Sequence, residues 1–69
     1  MRIHLRTNIR ELRESRNMSQ KELGELVGVS RQSINYIEMG KTSPKITVAL
    51  KIAKIFNTPV EEIFELEEE

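Results

Sequence analysis

Serines and glycines divide the middle of this chain into two short helices joined by a tight turn. Ser19 is followed three residues later by Glu22, which is the spacing of a capping box at a helix N-terminus. Gly28 is suited to end this helix, because glycine adopts the positive φ of a helix C-cap without a steric penalty. Ser30 then begins a second helix, which ends at Gly40. The sequence therefore predicts a helix, a three-residue turn and a second helix.

Three further helices are predicted around this pair. Apolar residues recur at helical spacing over 8–16 and over 46–56. In the second segment they cover so much of the circumference that we expect a central helix buried in the core. Thr58 as N-cap, with Pro59 at the first helical position, predicts a short last helix that ends near Phe64.

The two ends of the chain show a different period. Ile3 and Leu5 alternate with charged or polar residues, and Phe64 and Leu66 alternate with glutamates. Alternation of this kind is typical of strands. The predicted fold class is all-α, a compact five-helix domain with a short two-stranded antiparallel sheet formed by the two chain ends.

Composition excludes several classes of site. The chain of 69 residues has no cysteine and a single histidine, His4, so neither a disulfide framework nor a zinc site is expected. It contains no serine nucleophile motif and no glycine-rich phosphate loop, and we therefore expect neither an enzyme nor a cofactor. No apolar run approaches the roughly 20 residues of a membrane span, which predicts a soluble, cytoplasmic protein without a membrane partner. No site for a small-molecule effector is evident.

The net charge is zero, but the charges are unevenly distributed. Residues 1–45 contain nine Lys or Arg and five Glu, whereas residues 46–69 contain two Lys and six Glu. Contacts to DNA phosphates are made by Lys and Arg, so the first segment is the candidate for binding nucleic acid. The acidic end is interpreted as a solvated terminus.

The run SQKELGELVGVSRQSINYIE, residues 19–38, resembles the signature of the Cro/CI (XRE) family of prokaryotic and phage regulators. The resemblance extends over residues 7–64. It implies one λ-repressor-like domain over 1–69 with its helix-turn-helix at 19–39, and sequence-specific binding of double-stranded DNA by a transcriptional repressor. Gly24 departs from the family, which more often has alanine there. Met39 also departs, since family members often carry a phosphate-contacting asparagine at that position.

The second helix of the motif, residues 31–39, is expected to lie in the major groove as the recognition helix. Arg31 is suited to the O6 and N7 atoms of guanine, and Gln32 to the N6 and N7 atoms of adenine. The resemblance implies that Tyr36 also reads bases, although a packing role is the alternative for it. Ser33 completes the candidate base-reading set, because its hydroxyl could reach a base or a phosphate.

Phosphate contacts are expected at the start of the first helix of the motif, where free N–H groups attract an anion, and in the loop after the recognition helix. The candidates are Gln20, Ser30, Asn35, Lys41, Thr42 and Lys45. The resemblance also implies that Arg13 and Glu38 form a partly buried structural ion pair.

A homodimer is expected, because one recognition helix reads only a few base pairs. A two-fold dimer would bind a palindromic operator whose half-sites are about 34 Å apart. The terminal segments 1–6 and 60–69 carry apolar residues beyond those that a small core needs, and we predict the dimer interface there. Its candidates are Ile3, Leu5, Val60, Ile63, Phe64 and Leu66.

The same scaffold also suits a different function. An antitoxin or a protein-interaction module would share every structural residue of the motif. Only the exposed face of the recognition helix discriminates between the two, and Arg31, Gln32 and Ser33 make that face polar, which favours DNA.

Overall fold

The computed structural model describes residues 2–68, which form five helices and one antiparallel sheet. The elements in chain order are β1 (Ile3–Thr7), α1 (Ile9–Ser15), α2 (Gln20–Val27), α3 (Arg31–Glu38), α4 (Ile46–Ile55), α5 (Val60–Ile63) and β2 (Phe64–Glu68). The predicted fold class is confirmed, including the pairing of the two chain ends. None of the helices in this part of the chain has the length and apolar character needed to cross a membrane.

The helix boundaries of the central motif follow from local capping. Ser19 Oγ accepts a hydrogen bond from the backbone N–H of Glu22 at 3.0 Å, and Glu22 Oε1 accepts one from the Ser19 N–H at 2.9 Å. Ser30 caps α3 in the same way, with its Oγ accepting from the Ser33 N–H at 3.0 Å. Gly28 ends α2 at a φ of 82°. These three predicted boundaries are confirmed.

The predicted cap of the last helix is wrong. Pro59, not Thr58, occupies the N-cap position of α5, and no side chain caps this helix. The Thr58 hydroxyl instead donates to the backbone oxygen of Phe56 at 2.9 Å, so it closes the turn after α4.

All five helices contribute to one core. Its buried residues are Ile9, Leu23, Val27, Ile34, Ile37, Val48, Ile52, Phe56 and Ile63. The prediction that α4 is buried on most of its circumference is only partly right. Val48, Ala49 and Ile52 are buried, but Ile46 and Leu50 are 68% and 53% exposed. α4 therefore has an apolar strip that the other residues of the described range 2–68 leave largely uncovered.

The sheet has two chemically different faces, because residues paired across an antiparallel ladder point to the same side. Leu5 lies opposite Leu66, whereas Arg6 lies opposite Glu65 on the other face. Ile3 and Leu66 are 58% and 71% exposed, so the apolar face extends beyond the core.

One residue assigned to the dimer interface must be corrected. Ile63 is only 2% exposed and belongs to the core of its own chain, so its side chain is not available to a second copy. Val60 and Phe64 are half-buried, and Phe64 packs against the same core. Among the predicted interface residues, Ile3, Leu5 and Leu66 lie on the outer part of the sheet.

Candidate nucleic-acid interface

The angle between α2 and α3 depends on a close backbone contact at Gly24. A Cβ atom at this position would lie 2.6 Å from the backbone oxygen of Val29, a distance that requires the turn to move. The Gly24 oxygen also accepts hydrogen bonds from the N–H groups of Gly28 and Val29, at 2.8 and 2.9 Å. The glycine that departs from the family pattern is therefore the point where the turn closes onto α2.

A buried ion pair connects α1 to the end of α3. Arg13 Nε and Nη2 donate to the two carboxylate oxygens of Glu38 at 2.8 and 3.1 Å, and Nη1 donates to the Met18 oxygen at 2.8 Å. The two side chains are 10% and 5% exposed. The hydrogen bonds that Arg13 donates to Glu38 raise the pKa of Arg13 above its ordinary value, although burial acts in the opposite direction. The guanidinium group therefore stays charged and holds α3 against the body of the molecule.

Gln20 is a member of this network. Its Nε2 atom donates to Asn35 Oδ1 and to Glu38 Oε1, each at 3.1 Å. An amide nitrogen carries two hydrogens, so both are used within the chain. The side-chain nitrogen of Gln20 is therefore not free for the phosphate contact predicted for this residue, which leaves its backbone N–H at the start of α2. Asn35 in turn directs its Nδ2 atom to the sulfur of Met39 at 3.4 Å.

The structure brings three of the four candidate base-reading residues together. Arg31 and Gln32 are exposed in the first turn of α3. Gln32 Nε2 donates to the Tyr36 hydroxyl at 2.9 Å, one helical turn further on. Tyr36 is half-buried, and the Lys41 ammonium lies 5.8 Å from the centroid of its ring. The first half of α3 thus presents a polar surface bordered by a cation of the following loop.

Ser30 and Ser33 are engaged with each other. The Ser30 hydroxyl donates to Ser33 Oγ at 3.0 Å while its oxygen caps α3. Ser33 is half-buried, in contrast to its neighbours Arg31 and Gln32. Both serines therefore have a structural role at the start of the helix.

The loop candidates for phosphate contacts are accessible. Lys41, Thr42 and Lys45 are all exposed between α3 and α4. Gly40, which begins this loop, has a φ of 72°, a conformation that disfavours other residues.

Sequence reasoning missed the role of Arg16. Its Nη1 and Nη2 atoms donate to the backbone oxygens of Ile55 and Phe56 at 2.8 and 3.1 Å, and its guanidinium carbon lies 5.1 Å from the Phe56 ring centroid. The residue therefore caps the C-terminal end of α4. No local pattern signals this contact, because the partners are about forty positions away in the sequence.

A cleft of about 510 Å³ lies where α1, α2 and α3 meet. It is lined by Arg10, Arg13, Ser19, Gln20, Lys21, Arg31, Asn35, Glu38 and Met39. Arg10 and Lys21 were not singled out from the sequence. Within residues 2–68, no group of His, Asp and Glu side chains is arranged to hold a metal ion.

Comparison with known proteins gives consistent matches. The helix-turn-helix family model HTH_3 matches residues 9–63. An uncharacterized HTH-type transcriptional regulator of Archaeoglobus fulgidus is 46% identical over 65 residues, which are 94% of this chain and 92% of that protein. The P22 c2 repressor protein, solved in complex with a synthetic operator, is 30% identical with a TM-score of 0.73, over 77% of this chain and 80% of that one. The transcriptional regulator VanUg is 27% identical with a TM-score of 0.77, over 100% and 92% of the respective chains.

Proposed function

The chain belongs to the Cro/CI-type family of helix-turn-helix DNA-binding transcriptional regulators, and we propose that it is a repressor that binds a palindromic operator as a homodimer. The family is a class of DNA-binding regulators and not of enzymes. The similarity to a repressor solved with its operator supports the repressor role. The observation that carries the proposal is the polar surface of α3, where exposed Arg31 and Gln32 lie beside Tyr36.

Base reading is assigned to this surface. Arg31 donates in a bidentate manner to guanine O6 and N7. Gln32 donates one amide hydrogen to the Tyr36 hydroxyl. Its second hydrogen remains to be donated to adenine N7, and its oxygen remains to accept from adenine N6. In this proposal Tyr36 orients Gln32 in addition to lining the groove. Ser33 contributes a hydroxyl at the edge of the same surface.

Phosphate contacts hold the recognition helix in register. We assign them to the exposed loop residues Lys41, Thr42 and Lys45, and to the backbone N–H of Gln20 at the start of α2. Ser30 directly precedes Arg31, and Asn35 follows it by about one helical turn. In this proposal both residues supply further polar atoms near the DNA strand.

Selection of bound sequences from a random duplex library, at one stated salt concentration, tests the function. A two-fold symmetric enriched motif is the expected result, because a dimer presents two copies of α3. If no sequence is enriched and binding is weak and salt-sensitive, the result would contradict operator recognition and favour a protein-interaction module.

The role of Arg31 is tested within the enriched motif. Arg31→Ala should weaken binding to the enriched motif by about 1–3 kcal/mol per half-site, through the loss of discrimination at one base pair. Its binding to random DNA should be nearly unaffected. Lys45→Ala is the matched comparison, since a lost phosphate contact weakens all sequences alike. Equal losses on specific and random DNA for Arg31→Ala would contradict base reading.

The dimer is assigned to the outer apolar face of the sheet, formed by Ile3, Leu5 and Leu66. Leu66 is 71% exposed and lies opposite Leu5, which is half-buried. Covering this face with a second copy removes apolar surface from water, which stabilises the association. Acidic residues on the same strand keep this end of the molecule away from DNA.

Analytical ultracentrifugation of Leu66→Glu tests the interface. The variant should be monomeric at concentrations at which the unmodified chain is dimeric. Ile46→Glu is the matched control, because it places the same charge on the exposed strip of α4. A dimer that survives Leu66→Glu and is lost in Ile46→Glu would place the interface on α4 and contradict this assignment.

A further inference from the structure

The apolar strip of α4 consists of two neighbouring side chains. Ile46 and Leu50 are 68% and 53% exposed, although both are large and apolar. They lie four positions apart in one helix, so their side chains are adjacent on its surface. Single exposed apolar residues are common in proteins, whereas contiguous apolar surface marks sites of interaction. The strip is therefore a candidate docking surface.

The charge around the strip is positive. Lys51 and Lys54 are exposed, and Lys54 continues the line of Ile46 and Leu50 by one further turn. The segment 46–55 that forms α4 contains no Asp or Glu. Within residues 2–68, neither lysine takes part in an ion pair. We call the exposed residues Ile46, Thr47, Leu50, Lys51 and Lys54 the α4 face.

The proposed binding of DNA does not use this face. The base-reading residues lie in α3, and the phosphate contacts are assigned to the start of α2, to polar residues at and near the start of α3 and to the loop that ends at Lys45. Lys51 and Lys54 lie one and two turns further along α4 than this loop. Apolar side chains such as Ile46 and Leu50 have no hydrogen-bonding group for a phosphate. The face therefore needs another occupant.

A second copy of the same face is a poor occupant. In a two-fold interface the same patch is used on both copies, so the lysines of one α4 would lie against the lysines of the other. Like charges placed together oppose association. The acidic strand β2 of another copy has the opposite charge, but its apolar residue Leu66 belongs to the proposed dimer interface. The complementary surface is therefore assigned to a different protein.

We propose that the α4 face binds an acidic amphipathic helix of a partner protein. The apolar side chains of that helix would contact Ile46 and Leu50, and its carboxylates would lie beside Lys51 and Lys54. Residues spaced by four positions form a ridge that packs into the groove of a second helix, and Ile46, Leu50 and Lys54 have this spacing. The lysines select an acidic helix over a basic one.

An anionic lipid surface has the same sign of charge but fits the α4 face less well. A helix that lies in a membrane interface buries a wide apolar face among the lipids. The buried side of α4, with Val48, Ala49 and Ile52, belongs to the protein core, and its exposed apolar surface is limited to Ile46 and Leu50. A strip this narrow matches one helix better than a lipid surface.

The probe for this proposal is a blocked synthetic peptide of about 18 residues, which is long enough to form a helix. It carries leucines at helical spacing with glutamate and alanine elsewhere, and a counterpart carries lysine in place of glutamate. Amide chemical shifts of the isotope-labelled full chain, without DNA, measure binding. The glutamate peptide should shift residues 46–54 and bind about tenfold more tightly than the lysine peptide. Equal affinities would contradict the proposal.

Two variants of the α4 face test its apolar and its charged part. Leu50→Gln should weaken binding of the glutamate peptide by about tenfold, because it removes an apolar contact. Leu26→Gln is its matched control, since Leu26 is 58% exposed on α2. Lys54→Gln should weaken binding about two- to fivefold, and added salt should reduce this effect. Lys21→Gln, at an exposed position of α2, is the matched control for charge.

The controls decide whether the peptide binds at this face. Leu26→Gln and Lys21→Gln should leave the affinity of the glutamate peptide unchanged. If they weaken binding as much as Leu50→Gln and Lys54→Gln do, the peptide is attracted to the chain without using the α4 face, and the proposal is wrong. Thermal unfolding of each variant shows that the fold is retained.

Other occupants of the face give different results. Cosedimentation with vesicles that contain phosphatidylserine, lost in Leu50→Gln, together with no binding of the glutamate peptide, would assign the face to a membrane and overturn the proposal. A monomeric Ile46→Glu variant in ultracentrifugation would assign it to a second copy and overturn the proposal as well. These measurements contain no DNA, so the selection experiment on operator recognition is decided separately.

Discussion

Two of the Arg–Glu ion pairs within residues 2–68 differ completely in their surroundings. Arg13 and Glu38 are joined by two hydrogen bonds in the interior, at the C-terminal end of α3. Arg6 and Glu67 meet across the terminal sheet at 3.4 Å, with side chains 67% and 49% exposed. The same two functional groups therefore occupy a buried, hydrogen-bonded site in one region and a solvated site in the other.

The difference shows where the chain depends on polar contacts. Removing one partner of a buried pair leaves an uncompensated charge, whereas water replaces the lost partner of an exposed pair. The helix-turn-helix is also held by the Gln20 network and the Gly24 contact. We expect the motif to tolerate few changes and the sheet to tolerate many.

The largest expected effect is at the buried pair. Glu38→Ala should lower the free energy of unfolding by about 3–5 kcal/mol, because Arg13 would stay buried without its partner. Urea denaturation followed by circular dichroism measures the loss. The double variant Arg13→Met/Glu38→Gln is the control, since it removes both charges and should lose less than Glu38→Ala. A loss in Glu38→Ala below about 1 kcal/mol would contradict the distinction between the two pairs.

The second effect is at the closest approach of α2 to the turn. Gly24→Ala gains about 1 kcal/mol of helix propensity but places a methyl group 2.6 Å from the Val29 oxygen. Overpacking of this kind costs about 1–3 kcal/mol, so a net destabilisation of about 1 kcal/mol is expected. Glu25→Ala, at the neighbouring exposed position, should change stability by less than about 0.5 kcal/mol. An increase in stability for Gly24→Ala would show that the turn moves freely.

An effect of similar size is expected at the capping box of α2. Ser19→Ala removes the oxygen that accepts from the Glu22 N–H and should cost about 1 kcal/mol at neutral pH. The midpoint of urea denaturation reports the change. An unchanged midpoint would mean that water satisfies this N–H as well as the serine does.

The capping box also makes stability depend on pH. The hydrogen bond from the Ser19 N–H, and then that of its side chain, hold the pKa of Glu22 below its ordinary value. A depressed folded-state pKa stabilises the protein above the unfolded-state pKa, and this contribution is lost as the pH falls through the folded-state value. Below about pH 4.3, the free energy of unfolding should therefore fall less in Glu22→Gln than in the unmodified chain. Parallel curves for the two proteins would contradict this assignment.

The smallest effect is expected at the exposed pair of the sheet. Arg6→Gln should change the free energy of unfolding by less than about 0.5 kcal/mol, because both side chains remain solvated. The same urea experiment measures it, and added salt should reduce the difference further. A loss as large as that of Glu38→Ala would remove the contrast between the two regions.

The features predicted correctly from the sequence are those set by neighbouring residues. The caps at Ser19 and Ser30 and the left-handed turn at Gly28 each involve hydrogen bonds or backbone angles within about four positions. The alternation that predicts β1 and β2 is local as well. When a small chain has two predicted strands, each of them has the other as its natural partner, and the structure pairs them.

The features that were missed depend on distant residues. The Arg16 contact with α4 and the burial of Ile63 arise only when the helices pack against one another. The exposure of Ile46 and Leu50 has the same origin, because periodicity gives the apolar face of a helix but not how much of that face a neighbour covers.

The sequence by itself determined the helix-turn-helix, its boundaries and the residues exposed at the start of α3, since capping and helical period are short-range. Only the tertiary structure decided that the Gln20 side chain donates its hydrogen bonds to Asn35 and Glu38. It also decided that Arg10 and Lys21 line the same cleft as Arg31. The residues concerned come from three helices. Their geometry depends on the packing angles between helices, which the order of residues along any one helix does not specify.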